Sequence, residues 1–151
     1  MTRPAMPWCG MNDRYLITKT GLGRDAPVAV VRRAAEPLPV TVEDREEALA
    51  PSRERFPGAA FDESRIPKVK PLIERLVVDD RSRLWVKRTT RDGHTQFDVF
   101  GPDGRPVAVV DSPLRLDSWA PLRIEGDLVY GIVRNEDEVP FVVRLRITKA
   151  P

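Results

Sequence analysis

RLVVDDRSRLWVKRTTRDGHTQFDVFGPDGRPVAVVDS, residues 75–112, holds four short β-forming runs: RLVVD, RLWVKRT, TQFDVF and PVAVVDS. Turn-forming residues divide each run from the next, which is the pattern of one four-stranded antiparallel meander. PDGR at 102–105 explains one turn chemically. Proline presets φ, aspartate bonds back to the backbone, and glycine accepts a positive φ. DDRSR at 79–83 does the same between the first two runs with less ideal residues. In RLWVKRT, Leu84, Val86 and Arg88 alternate with Trp85, Lys87 and Thr89, so the strand has two different faces. TQFDVF splits likewise into Phe97 and Val99 against Gln96, Asp98 and Phe100, with Asp98 expected at a strand end or turn.

The meander repeats in outline downstream, as PLRIEGD, LVYGIVRN and EVPFVVRLRIT. Upstream, RYLITKT and VAVVRR flank a glycine-containing loop and are expected to pair as a hairpin. EPLPV at 36–40 ends that sheet, because proline cannot donate to a ladder. Thr41 with Asp44 approximates a capping box, and Glu43, Asp44, Glu46 and Glu47 suit a helix N-terminus, so a short helix is expected over residues 42–50, ended by Pro51. The proline-rich stretch after it is a long connection that Phe56, Phe61 and Ile66 could dock. The expected organisation is therefore a partial unit at 1–34, a connection at 35–71, a complete meander at 72–113 and a three-stranded one at 114–151. A strand every 8 to 12 residues or so defines an all-β chain with one short helix.

Composition narrows the function. With 25 Lys plus Arg against 23 Asp plus Glu in 151 residues, the net charge of +2 gives no dominant field, and no basic patch interleaves with aromatics, so nucleic acid is not an expected partner. The single cysteine, Cys9, rules out an internal disulfide and a CxxC site. Bulky Trp8 precedes it and no apolar stretch leads to it, so neither a signal peptide nor a lipobox is expected. No run of about 18 apolar residues is present, so no transmembrane helix and no membrane insertion are expected.

Candidates for chemistry are few. His94 is the only histidine, which precludes a multi-histidine metal site within these residues, and it is expected as an exposed turn residue. No serine sits in a GxSxG setting. The acid pairs Asp79 with Asp80 and Glu136 to Glu138 are expected to be solvated turn-formers, and GLG at 21–23 a hairpin turn rather than a phosphate loop. Trp8, Trp85 and Trp119 allow a carbohydrate-stacking reading, but a recurring tryptophan fits core packing better. No cofactor and no catalytic residue is implied.

The strings VVDDRSRLWV and FDVFGPDGRPVAVV resemble a blade of the bacterial six-bladed β-propellers related to NHL-repeat and TolB-type proteins. Asp79, Leu84, Trp85, Val86, Val99, Phe100, Asp103, Gly104 and Arg105 carry the match, and Ser82 stands where the usual turn has glycine. The resemblance spans about residues 15–147. It implies a partial propeller of two to two and a half blades, the C-terminal portion of a longer one, in which the last blade is commonly completed by a strand from the propeller chain's own N-terminus. Trp85, Phe97, Phe100 and Trp119 would then pack between blades, and Asp79, Arg123 and Glu125 would face a central channel. Such proteins are commonly exported.

Three functions follow as expectations. The first is a non-enzymatic segment that binds a protein or small-molecule ligand at its loop faces and pairs with missing blades. The second is part of a metal-dependent hydrolase or lactonase-like propeller. The third is a standalone sheet protein that self-associates through open edges, since residues 142–147 would leave an apolar edge.

Overall fold

The computed structural model describes residues 7–11, 13–21, 23 and 26–149. Among them, ten strands form three antiparallel sheets. Sheet 1 holds β1 (Trp8–Met11), β2 (Leu16–Lys19) and β3 (Ala29–Arg32). Sheet 2 is the expected four-stranded meander of β4 (Ile73–Val78), β5 (Leu84–Arg88), β6 (Gln96–Phe100) and β7 (Pro106–Asp111). Sheet 3 holds β8 (Arg123–Glu125), β9 (Leu128–Arg134) and β10 (Pro140–Arg146). The chain is all-β, with one α-helix and one short 3-10 turn among the described residues.

Sheet 2 lies between the other two, and its central strands β5 and β6 are buried on both faces, as their alternation requires, while β7 stays exposed. Leu84, Val86 and Phe100 join Tyr15, Ile17 and Val31 of the sheet 1 side in one core. Trp85, Phe97 and Val99 join Ile124 and Val129 of sheet 3 in the other. Trp85 meets Phe97 edge to face, with ring centroids 5.7 Å apart. Full burial of such side chains stabilises by roughly 1.5–3 kcal/mol each.

The sheets are not parallel slabs. Backbones of neighbouring sheets approach through β1 with β4 and through β4 with β8, whereas the outer strands β3 and β7 do not meet and bound a cleft of about 580 Å³. The stack therefore fans open from β4. Its two ends also differ. In sheets 2 and 3 one end carries the turns at 79–83, 101–105 and 126–127, while the opposite end collects the connections 33–72, 89–95 and 112–122 together with the five-residue turn 135–139.

A structural repeat links sheets 1 and 2. Trp8 pairs with Lys19, which pairs with Ala29, and Trp85 pairs with Val99, which pairs with Ala108. The outer strands of both rows read PVAVV, at residues 27–31 and 106–110. Trp8 packs on the core shared with sheet 2 and Trp85 on the core shared with sheet 3. β1 is thus the equivalent of β5, so sheet 1 has three strands where the sequence suggested a hairpin. WCGM carries no alternation, and what places it is its tertiary position beside Ile73 and Leu76.

The helix α1 (Val42–Arg55) forms with the expected capping box: Asp44 N–H donates to Thr41 Oγ1 at 3.2 Å and Thr41 N–H to Asp44 at 2.8 Å. It runs past Ala50, through Pro51. A proline removes one backbone bond there, and the turn beyond it is held by Arg53, which pairs with Glu46 and Glu63 at 3.1 Å. No residue of α1 is buried. Polar contacts tie it down, chiefly Lys70 Nζ to Asp44 at 2.7 Å. In the β4–β5 turn, Ser82 takes φ +60°, the left-handed conformation that glycine adopts without penalty.

Candidate functional site

The end that carries the long connections gathers polar side chains under its loops. On the sheet 3 side, Lys87 and Arg75 are register partners and point to the same face. Lys87 is almost wholly buried. Its ammonium donates to Leu116 O at 2.7 Å and to Ser118 Oγ, and lies 3.0 Å from a Glu74 carboxylate oxygen. Three acceptors satisfy its three N–H groups, so the buried charge is compensated. Arg75 donates to Ser118 O at 3.2 Å and to Ala120 O. These contacts staple the 112–122 connection onto sheet 2.

Asp117 completes the staple. Its Oδ1 accepts from Trp119 N–H at 2.8 Å and Ala120 N–H at 3.3 Å, and its Oδ2 from Arg134 Nε at 2.9 Å. The backbone bond from Trp119, reinforced by Arg134, holds the Asp117 carboxyl below its ordinary range. Beside this loop lies a polar cleft of about 490 Å³ bordered by Lys87, Gly93, Arg115, Asp117 and Asn135. Trp119 stands at its lip, 97% exposed. The expectation that Trp119 packs between sheets is therefore overturned: the pinned loop turns its indole outward, while Trp85, Phe97 and Phe100 are buried between sheets.

On the sheet 1 side, Asp98 occupies the middle of β6, contrary to the expected strand end. It is 2% exposed. Its carboxylate accepts from Tyr15 Oη at 2.8 Å and Arg33 at 2.5 Å, and lies 3.3 Å from Arg88 Nε. A buried carboxylate is tolerable there because two guanidinium groups and a hydroxyl surround it. Burial first, then the bond to Asp98, raises the Tyr15 hydroxyl well above its ordinary value, so Tyr15 serves as a donor and not as a base.

The residues expected to face a channel sit apart from these clefts. Asp79 lies in the compact β4–β5 turn, where it accepts from Arg81 N–H at 3.0 Å, Arg83 N–H at 2.8 Å, Arg83 Nε at 2.6 Å and Trp85 Nε1 at 2.9 Å. Burial pushes its carboxyl up, but the bonds from Trp85 and Arg83 outweigh that and hold it below 3.8. All its acceptor capacity is spent on its own turn. Arg123 and Glu125 pair with each other on the face of sheet 3 turned away from sheet 2. The three residues are thus not brought together. His94 is partly exposed, as expected of a turn residue, but it is not free: Nδ1 pairs with Asp92 and Nε2 lies 3.5 Å from Asp111. Among the described residues no group of three or more His, Cys, Asp or Glu side chains could hold a metal ion.

Lys87, Asp98 and Asp117 are the polar residues that sequence reading passed over as functional candidates. The available signal was a charge placed inside an alternating apolar strand, which for Lys87 and Asp98 demands a buried partner. No family model, curated protein or solved structure matches this chain.

Proposed function

We propose that the chain is a segment of a β-propeller of the NHL or TolB-like kind, a non-enzymatic scaffold that presents the long-connection end of its sheets to a ligand or protein partner. The carrying observation is the aromatic repeat. Trp8 and Trp85 hold equivalent positions and each packs against the next sheet, and the same face of sheet 3 bears half-buried Tyr130 with no sheet over it. Val142, 80% exposed, and Ile132 are register partners on that face. Tyr130, Ile132 and Val142 make an apolar patch on that face beside Arg123, Glu125, Arg144 and Arg146, and such a patch is stabilised when a further meander covers it. The fan, narrow at β4 and open at β3 and β7, supports the same reading, since blades around an axis diverge outward.

The test is the oligomeric state of the purified chain by light scattering across a range of concentrations. Concentration-dependent association that Val142→Glu suppresses is expected, because the charge would sit on the uncovered face. A monomer at all concentrations, unfolding in one cooperative transition, would sink the reading.

A further inference from the structure

We propose that the cleft between residues 34–38 and 89–91 binds a small aliphatic carboxylate, whose anionic head meets Arg33 and Arg88 and whose apolar body meets Leu38 and Leu72. The inference rests on the long-connection end being the binding face, and names the class of ligand it takes. The carrying observation is an excess of positive charge around Asp98. Arg33 Nη1 donates to Asp98 Oδ1 at 2.5 Å, and Arg88 Nε lies 3.3 Å from Oδ2, so two guanidinium groups share one carboxylate. That carboxylate also accepts from Tyr15 Oη. Arg33 spends a single N–H on it, and Arg88 makes no hydrogen bond among the described residues, its Nε being buried without a partner. Because both groups contact Asp98, they stand within reach of one further anion, which their remaining N–H groups can hold.

The cleft itself supplies little opposing charge. Its lining carries Arg33, Arg88 and Arg91 against Glu36, which makes no ion pair among the described residues, so even with Asp98 beneath it three cations face two anions. The other wall is apolar and lies next to the arginines. Leu72 is buried, it precedes Ile73, the register partner of Arg88, and its carbonyl accepts from Thr89 N–H at 3.3 Å. Leu38 is held in place through its carbonyl, which accepts from Lys70 N–H at 2.7 Å. A bare inorganic anion would leave this wall uncovered, whereas a carboxylate on a short branched chain meets both halves. The cleft is about 320 Å³, which restricts the ligand to a small molecule.

The test uses the full chain with 3-methylbutanoate, read by saturation-transfer NMR, with 3-methylbutanamide as the neutral isostere and inorganic phosphate as a competitor that has no apolar body. The carboxylate is expected to bind about tenfold or more tighter than the amide, and less tightly as salt rises. Phosphate should displace it only at about tenfold higher concentration. Arg33→Lys keeps a charge beside Asp98 but loses two-point geometry, and should weaken binding about tenfold. Arg91→Gln, at an exposed position on the cleft, should weaken it about threefold and leaves the fold intact, so it decides the matter even where Arg33→Lys fails to fold. Thermal melting followed by circular dichroism separates a lost site from a lost fold. Absence of carboxylate binding overturns the proposal, as does an amide bound equally well or binding indifferent to Arg91→Gln and to a folded Arg33→Lys. Displacement by phosphate at equal concentration also overturns it, and marks a general anion site instead. The oligomeric-state test of the scaffold turns on Val142 and involves none of these arginines, so the two readings fail separately.

Discussion

Trp85 donates its indole N–H to the Asp79 carboxylate at 2.9 Å, across the turn that joins β4 to β5. One bond therefore ties the largest buried side chain of sheet 2 to the residue that organises its first turn. The same carboxylate gathers two backbone N–H groups and the Arg83 side chain, and the Arg83 guanidinium lies 5.6 Å from the Trp85 ring centre. Asp79 thus spends its acceptors on its own turn and on Trp85.

Removing that acceptor strands a buried donor. Asp79→Ala should destabilise the chain by about 2–4 kcal/mol, because Trp85 Nε1 and two backbone N–H groups lose their partner at once. Urea denaturation followed by circular dichroism checks this. The Asp79 carboxyl is also depressed in the folded state, so its contribution is present above the ordinary value of 3.8 and is lost as pH falls through the lower folded value. The variant should lack this acid-side loss.

Ser82 offers a gain. Its φ of +60° is paid in backbone strain that glycine avoids, although glycine loses more entropy on folding. Ser82→Gly should stabilise by about 0.5–1 kcal/mol net. A denaturation midpoint that moves down would refute the left-handed turn.

Asp98 balances two arginines. Asp98→Asn keeps an acceptor for Tyr15 but leaves Arg33 and Arg88 facing each other without a counter-charge, and should cost about 3 kcal/mol. Asp98→Asn combined with Arg88→Met should recover part of that loss. A double-mutant cycle in urea measures the coupling.

His94 should titrate above its ordinary value of 6.5, because Asp92 accepts from its ring, with Asp111 adding a smaller pull. Protonated His94 stabilises the folded chain, so that contribution is fully present below 6.5 and fades as pH rises through the raised folded value. As the single histidine, its ring resonances give the titration directly by NMR. A midpoint at or below 6.5 would show that the Asp92 contact does not form.

Much of the architecture is legible without coordinates. PDGR at 102–105 and the alternation in β5 and β6 specify sheet 2, because turn chemistry and side-chain alternation are local properties. The capping box at Thr41 is local too, although Pro51 did not end the helix, since contacts from Arg53 hold the turn after it. β1 was missed for the opposite reason: WCGM has no period, and only the repeated PVAVV at 27–31 and 106–110 hinted that the strands before it should match. The candidate site was harder to read. Trp119 resembles Trp85 as a letter, and the difference between a displayed and a buried indole lies in Asp117 two residues away and in Arg75 and Lys87, which reach its loop across the fold.

The sequence alone determined that this chain is all-β, built of antiparallel meanders with two-faced central strands, because φ preferences and alternation act between neighbours along the chain. The tertiary structure decided that β5 and β6 of sheet 2 are covered on both faces, that Asp98 and Lys87 are buried with partners, and that Trp119 points to solvent. Those outcomes depend on side chains brought together from strands and loops distant in sequence, and a charge or an indole is placed by whichever partner reaches it first in three dimensions.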